Sequence, residues 1–226
     1  LAIPRQHDKK QGMQNEEELL EQFKEKIDLP VKKQNFRVFV FGPALSPSDE
    51  VSAPLNPPCG DGLSMHAKYL RYLTAKKLRD EGWTVDFGET ESIQKFWRSL
   101  GIPSHAAMEV HHASKLCGAI VIFPTSVGSI SELALFTGMP WIAKKTLAII
   151  HSEFKEHKSF FRLGLLRLLK IQHGQFEFED YSSAEKCADL AVEFVEDQWT
   201  GVSLDKLYID DAKILNLEQK GGSYGS

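Results

Sequence analysis

Glu132 is the residue in this chain whose type and setting most invite chemistry. It lies in the stretch Phe123-Pro124-Thr125-Ser126-Val127-Gly128-Ser129-Ile130-Ser131-Glu132-Leu133-Ala134-Leu135-Phe136. Two roles fit it. Ser129-x-x-Glu132 has the spacing of a capping box, in which serine and glutamate satisfy each other's end of a helix start. Spacing alone favours that cap. Alternatively the carboxylate faces a ligand crevice, where a helix dipole keeps it ionised and it attacks or stabilises an electron-poor sugar carbon. A carboxylate has two oxygens, so the roles are compatible. The small polar turn at Ser126, Gly128 and Ser129 would offer backbone N–H groups to an anion beside it.

Other groups are less suggestive. His111 and His112 are adjacent, so on a helix they point apart and share a metal poorly; they read as surface or packing residues. Cys59, Cys117 and Cys187 are odd in number and widely separated, which suits reduced thiols rather than a zinc site or a disulfide framework. Neither a metal nor a cofactor is expected.

The elements that must position Glu132 can be read from periodicity. Residues 116–122 form an unbroken apolar run, as in a strand buried on both faces of a parallel sheet. Pro124 stops it, Ser129 opens a helix with Ile130, Leu133, Ala134 and Thr137 on one face, and Gly138 ends that helix. Arg37-Val38-Phe39-Val40-Phe41 is a first strand running into Gly42-Pro43. The glycine spacing of a dinucleotide fingerprint is missing there; Gly42 instead lets a ligand approach the backbone. The proline-rich residues 43–62 are either a lid or binding loop or a tolerated insertion. A helix over 64–81 has Ala67, Leu70, Leu73 and Leu78 inward, and a strand over 83–87 leads to Gly88-Glu89. Short helices follow at 92–100 and 104–116, the second with Ala107, Val110 and Ser114 inward. A further strand covers 146–150, an alternating strand 176–179, and Ser182-x-x-Glu185 caps a last helix. The sum is an α/β fold, an open, mainly parallel Rossmann-like sheet with helices on both faces.

The domain sits at residues 35–200, preceded by a polar segment and a charged helix (16–27) within 1–34, and followed by a polar extension and tail at 201–226. Residues 160–169 carry more large apolar side chains than one amphipathic helix needs, which fits burial in the monomer or a contact in a homo-oligomer. The chain has 226 residues and a net charge of -4, with no basic patch to suggest duplex binding. No apolar run reaches the length of a membrane span, and no signal-peptide pattern follows Leu1. A cytoplasmic protein with no membrane partner is the expectation.

Two motifs carry a resemblance. Arg37-Val38-Phe39-Val40-Phe41-Gly42-Pro43-Ala44-Leu45-Ser46 resembles the opening of the nucleoside 2-deoxyribosyltransferases, and Gly128-Ser129 with Glu132 is similar to the segment holding that family's glutamate nucleophile. The match is closer to the deoxyribosyltransferase-like toxic effectors of bacterial retrons, through Phe123-Pro124, Ser126, Gly128-Ser129, Glu132-Leu133 and Phe136. Phe154-Lys155, Ser159-Phe160, Gly164 and Arg167-Leu168-Leu169 follow the same branch in order. The resemblance covers roughly residues 36–170. Where the branch tends to have an aspartate at the start of the central strand, this chain has Gly118, so a sugar-orienting carboxylate is missing. No winged-helix region follows residue 200.

The resemblance implies N-glycosidic chemistry: Glu132 attacks the anomeric carbon, the base departs, and another base or water resolves the glycosyl-enzyme. It implies that Gly42, Pro43, Ser126, Gly128 and Ser129 line the sugar-phosphate site and that Glu89 binds a ribose hydroxyl. The retron branch further implies a hydrolase of nicotinamide dinucleotide or a related purine nucleotide, acting against phage and silenced by a reverse transcriptase with its DNA–RNA product. Two other classes compete. A nucleotide-sensing domain without catalysis would suit the glycine at 118. A phosphoribohydrolase also uses a glycine turn and a glutamate, but Pro124-Thr125-Ser126-Val127-Gly128-Ser129 lacks its PGG-x-GT signature.

Overall fold

The computed structural model describes residues 31–45, 62–102 and 104–221. The charged helix expected at 16–27, most of the proline-rich loop with Cys59, and the end of the tail lie outside these residues. Five strands alternate with helices: β1 (Arg37–Phe41), α1 (Leu63–Asp80), β2 (Thr84–Asp86), α2 (Glu91–Ser99), α3 (His105–Lys115), β3 (Cys117–Ile122), α4 (Val127–Thr137), α5 (Pro140–Ala143), β4 (Thr146–His151), α6 (Arg167–Ile171), β5 (Gln175–Glu179) and α7 (Ala184–Gly221). A π-helical stretch, Phe161–Leu166, leads into α6.

All strand pairs are parallel, in the order β2-β1-β3-β4-β5. The chain winds outward from β1 to β2, then returns past β1 to β3. A crevice between the carboxyl ends of β1 and β3 is thus the switch point at which open α/β sheets take ligands.

The strands lack polar alternation because both faces are covered. Val38, Val40, Ala119, Val121, Leu147 and Ile149 face Leu70 and Leu78 of α1 and Ala191, Phe194 and Val195 of α7. Phe39, Phe41, Ile120, Ile122, Ala148 and Ile150 face Ala113 of α3, Leu133 and Phe136 of α4, and Leu165, Leu166 and Leu169. Phe41 and Phe136 meet edge to face with centroids 4.9 Å apart, which fixes α4 against the end of β1.

Several details depart from the periodicity. In α3 the buried residues are Met108, Glu109, His112 and Ala113, with Ala107, Val110 and Ser114 half-buried. The polar pair goes inward because partners await it there. In α4, Ile130 and Ala134 are exposed, while Ser129, Leu133, Phe136 and Thr137 are buried. Of residues 160–171, Leu165, Leu166 and Leu169 belong to the monomer core, but Phe160, Leu163, Leu168 and Ile171 are exposed. Helix α7 begins at Ala184, one residue later than the Ser182-x-x-Glu185 spacing requires, and continues through the polar extension to Gly221.

Residues Val31–Val202 form one compact unit around the sheet, and the chain from Ser203 falls to a second. Among the described residues, no helix is long and apolar enough to cross a membrane.

Candidate active site

The start of α4 decides what Glu132 is free to do. The N-cap is Ser126, not Ser129. Ser126 Oγ accepts the Ser129 amide at 3.2 Å, and Ser129 Oγ accepts the Ser126 amide at 3.0 Å and the Thr125 amide at 3.1 Å. This reciprocal pair is the capping box, so the Ser129-x-x-Glu132 box does not form. Serine at N3 takes the part usually given to Glu or Gln, and Glu132 lies a turn deeper. Ser129 is buried beneath the helix start, Ser126 is half-buried, and Gly128 is exposed.

Glu132 is half-buried, and its Oε2 is shut from solvent with no hydrogen-bond partner among the described residues. An oxyanion left so would be costly. Burial and the neighbouring Glu89 push its carboxyl up to about 7, with the Arg71 guanidinium opposing them.

Glu89 follows β2. Its Oε1 accepts from the Leu45 amide at 3.2 Å and from Arg71 Nη1 at 2.9 Å, and its Oε2 accepts from Arg71 Nη2 at 3.0 Å. Burial works against its charge, but the Arg71 fork and the amide hold it below the usual carboxylate range. The expected ribose ligand is therefore already tied to the protein through both oxygens.

Arg71 also donates from Nη1 to the Pro43 carbonyl at 2.6 Å and from Nη2 to the Val40 carbonyl at 2.9 Å. A Cβ at Gly42 would lie 2.6 Å from Arg71 Cδ and 3.3 Å from the Phe123 carbonyl oxygen. Arg71 is packed directly against the backbone at Gly42. Gly42 and Pro43 thus join the site through Arg71.

A third carboxyl, Glu109 of α3, completes the cluster. It is almost wholly buried, and its Oε1 lies 2.8 Å from where a Cβ at Gly88 would be, so the missing side chain at Gly88 makes its room. His105 Nε2 is 3.2 Å from the same oxygen. Burial, then Glu132 and Glu89, push the Glu109 carboxyl up to about 8 against the pull of Arg71. At neutral pH one carboxyl holds a proton and another is poised to lose one, and carboxyls whose environments set their protonation apart in this way mark a candidate site.

Sequence reasoning missed Arg71 and Glu109. Each carried a signal: Arg71 falls on the stripe Ala67, Leu70, Thr74, Leu78, and Glu109 falls between Met108 and His112. A charge on a buried stripe implies a buried partner.

Gly118 does not bear on this site. It is at the amino end of β3, about 15 Å of strand from Phe123, and a Cβ there would collide with the Phe36 ring. A carboxylate at that position could not orient a sugar at the opposite edge.

One grouping of metal-ligand types occurs among the described residues, Asp86, His112 and Cys117. Trp97 Nε1 lies 3.1 Å from His112 Nδ1, and an indole can only donate, so Nδ1 accepts and Nε2 carries the proton given to Asp86 Oδ2 at 2.9 Å. Arg37 Nη1 donates to both oxygens of Asp86 at 3.2 and 3.0 Å. Burial pushes the Cys117 thiol up. A metal on His112 Nε2 would put a protonated Nδ1 against the indole N–H. These residues form a hydrogen-bonded chain that packs α2 and α3 on the sheet, and His112 is a core residue.

A family model described as STM3845 retron effector protein matches residues 67–219, a span that holds Arg71, Glu89, Glu109 and Glu132. No curated protein matches the chain.

Proposed function

Since the chain belongs to the STM3845 retron effector protein family, we propose that it is a nucleotide N-glycosidase that acts as an anti-phage effector. The observation that carries the reading is Glu132: a carboxylate without a capping role, with an orphaned oxygen, at the carboxyl edge beside the β1/β3 switch point.

In this reaction the Glu132 carboxylate forms a bond to the anomeric carbon as the C–N bond breaks, and the bonding pair leaves with the base. Glu109, protonated at neutral pH, gives its proton to a neutral leaving base. A water molecule then attacks the same carbon, passes a proton to Glu109, and frees Glu132. A pyridinium base such as nicotinamide departs neutral and takes no proton in the first step, so on that substrate Glu109 must yield its own proton to bulk water before it can accept the one released by the attacking water. Nicotinamide dinucleotide and purine nucleotides are the substrates proposed, and a nucleoside deoxyribosyl transfer differs only in a second base replacing water. Supporting this class is the cluster of Glu89, Glu109 and Glu132, whose charges act on one another across the carboxyl edge of the sheet. Gly118, which suited a non-catalytic sensor, lies at the amino end of β3 against Phe36 and so does not favour that reading over catalysis.

The proposal extends to assembly. Phe160, Leu163, Leu168 and Ile171 are exposed apolar side chains on one short segment, which supports a homo-oligomer or a seat for a reverse transcriptase–nucleic acid partner. The test of activity is chromatography of free base after incubating the chain with each nucleotide, in wild type and in Glu132→Gln. Base release by wild type and none by the variant supports the reading; equal release by both sinks it.

A further inference from the structure

Arg71 is 1 % exposed, among the most deeply buried side chains of the chain. Its fork is engaged on two sides. Toward the loop after β1 it holds the carbonyls of Val40 and Pro43, with that of Gly42 at 3.4 Å. Toward the loop after β2 it holds both oxygens of Glu89, whose Oε1 in turn receives the Leu45 amide. Its guanidinium carbon lies 5.2 Å from the centre of the Phe87 ring, which precedes Gly88 and Glu89. One residue of α1 therefore ties together the two loops at the carboxyl edge, and Nε is left buried without a partner among the described residues. For stability alone, apolar residues of similar volume often serve as well as a buried ion pair, so the charge calls for another reason.

That reason lies in the carboxyls around it. Glu89 is bonded to Arg71, while Glu132 of α4 and Glu109 of α3 both feel its charge. We infer that Arg71 is the positioning residue of this site: it sets the loops after β1 and β2 against each other and supplies the positive charge that lets Glu132 be an anion in a buried crevice. The inference rests on the reading of Glu132 as nucleophile. Its partner Glu89 then has a balancing role, holding the guanidinium in place while weakening its pull on Glu132.

The two members of the pair should act on Glu132 with opposite signs. Losing Arg71 removes the attraction that, among the described residues, favours the Glu132 anion, so Glu132 titrates at higher pH and the acid limb of base release moves up. Losing the Glu89 charge removes a repulsion, so the limb moves down. Of the other titratable groups facing the cluster, Glu109, which has His105 beside it, feels the same two charges and moves in the same two directions, so the Glu132 midpoint is read separately from that of Glu109. A tie that served packing alone would lower the melting temperature in both variants and give no such opposition.

The experiment compares wild type, Arg71→Lys, Arg71→Met and Glu89→Gln. Three quantities are read: melting temperature, base release against pH, and the titration midpoint of Glu132 by carboxyl NMR of glutamate-labelled protein. The expected result is an upward move of about one pH unit in Arg71→Met, a smaller one in Arg71→Lys, where the fork is lost and the charge kept, and a downward move in Glu89→Gln. Moves of one sign in all folded variants, or no move, overturn the inference. If Arg71→Met does not fold, Arg71→Lys against Glu89→Gln carries the comparison. If wild type releases no base, the reading of the reaction fails, and the NMR midpoints still decide whether Arg71 governs Glu132.

Discussion

Ser126 and Ser129 cap α4 for one another, each hydroxyl taking the other's amide, at 3.2 and 3.0 Å. Because the two serines complete the box, Glu132 contributes nothing to the helix start. Glu132→Gln is therefore expected to melt as wild type does at pH 7 or slightly higher, since it relieves a buried carboxyl. Its base release should fall by several orders of magnitude, as when a covalent step is lost. Paired melting curves and product chromatography check this. A variant that melts normally and reacts at the wild-type rate removes Glu132 from the chemistry.

The serines themselves give a contrasting case. Ser126→Ala should lower stability by about 1 kcal/mol, the usual effect of losing an N-cap. Chemical denaturation measures this directly. A change near zero would mean that Ser129 alone satisfies the exposed amides of α4.

Burial of two acids also sets a pH dependence. The folded-state pKa values of Glu109, about 8, and Glu132, about 7, both lie above the ordinary value of 4.5. A raised acid stabilises the fold fully below its unfolded pKa, and that stability is lost as pH rises through the folded value. Wild type should thus lose stability between about pH 4.5 and pH 8 relative to Glu109→Gln, which cannot ionise. Melting temperatures of the two proteins across this window test the sign, and parallel curves would place the Glu109 carboxyl in water.

The alternation of buried strands and helices made the sheet legible in the sequence, because double burial leaves apolar runs that nothing else explains. The end of β1 at Gly42 and the end of β3 before Pro124 were legible for the same reason. What escaped was rotation and phase. In α3 small residues on one stripe concealed that Glu109 and His112 go inward, and their reason lies in Gly88, Asp86 and Trp97, distant in sequence. At α4 a serine spaced three from a glutamate competed with a serine spaced three from a serine, and spacing cannot choose between them. The place of Arg71 depends on carbonyls of a loop far along the chain.

The apolar segment near α6 divides into inner and outer residues, which separates folding from assembly. Charged replacements at Leu165 or Leu169 should unfold the protein, for both are buried in the monomer. Leu163→Glu with Leu168→Glu should leave the melting temperature within a few degrees, since Leu163 and Leu168 are exposed at 55 % and 40 %. If a second copy covers this face, the same double variant shifts light-scattering mass toward the monomer. An unchanged mass would dissociate these side chains from self-assembly.

The last prediction uses the leaving base to test Glu109. A purine expelled from a neutral nucleotide carries away the bonding pair and leaves poorly as an anion, so a proton delivered during bond breaking lowers its barrier. Nicotinamide carries its positive charge before the bond breaks and leaves neutral. An acid near pKa 8 close enough to feel Glu132 would matter for the first and not for the second. Glu109→Gln should therefore slow purine release by about 10²–10⁴-fold, the usual worth of general acid catalysis. Release of nicotinamide from the dinucleotide should fall far less in its bond-breaking step, which single-turnover measurements isolate from the later attack of water. Equal losses on both substrates would show that Glu109 acts on packing or on water alone, and no loss on either would exclude it from the reaction.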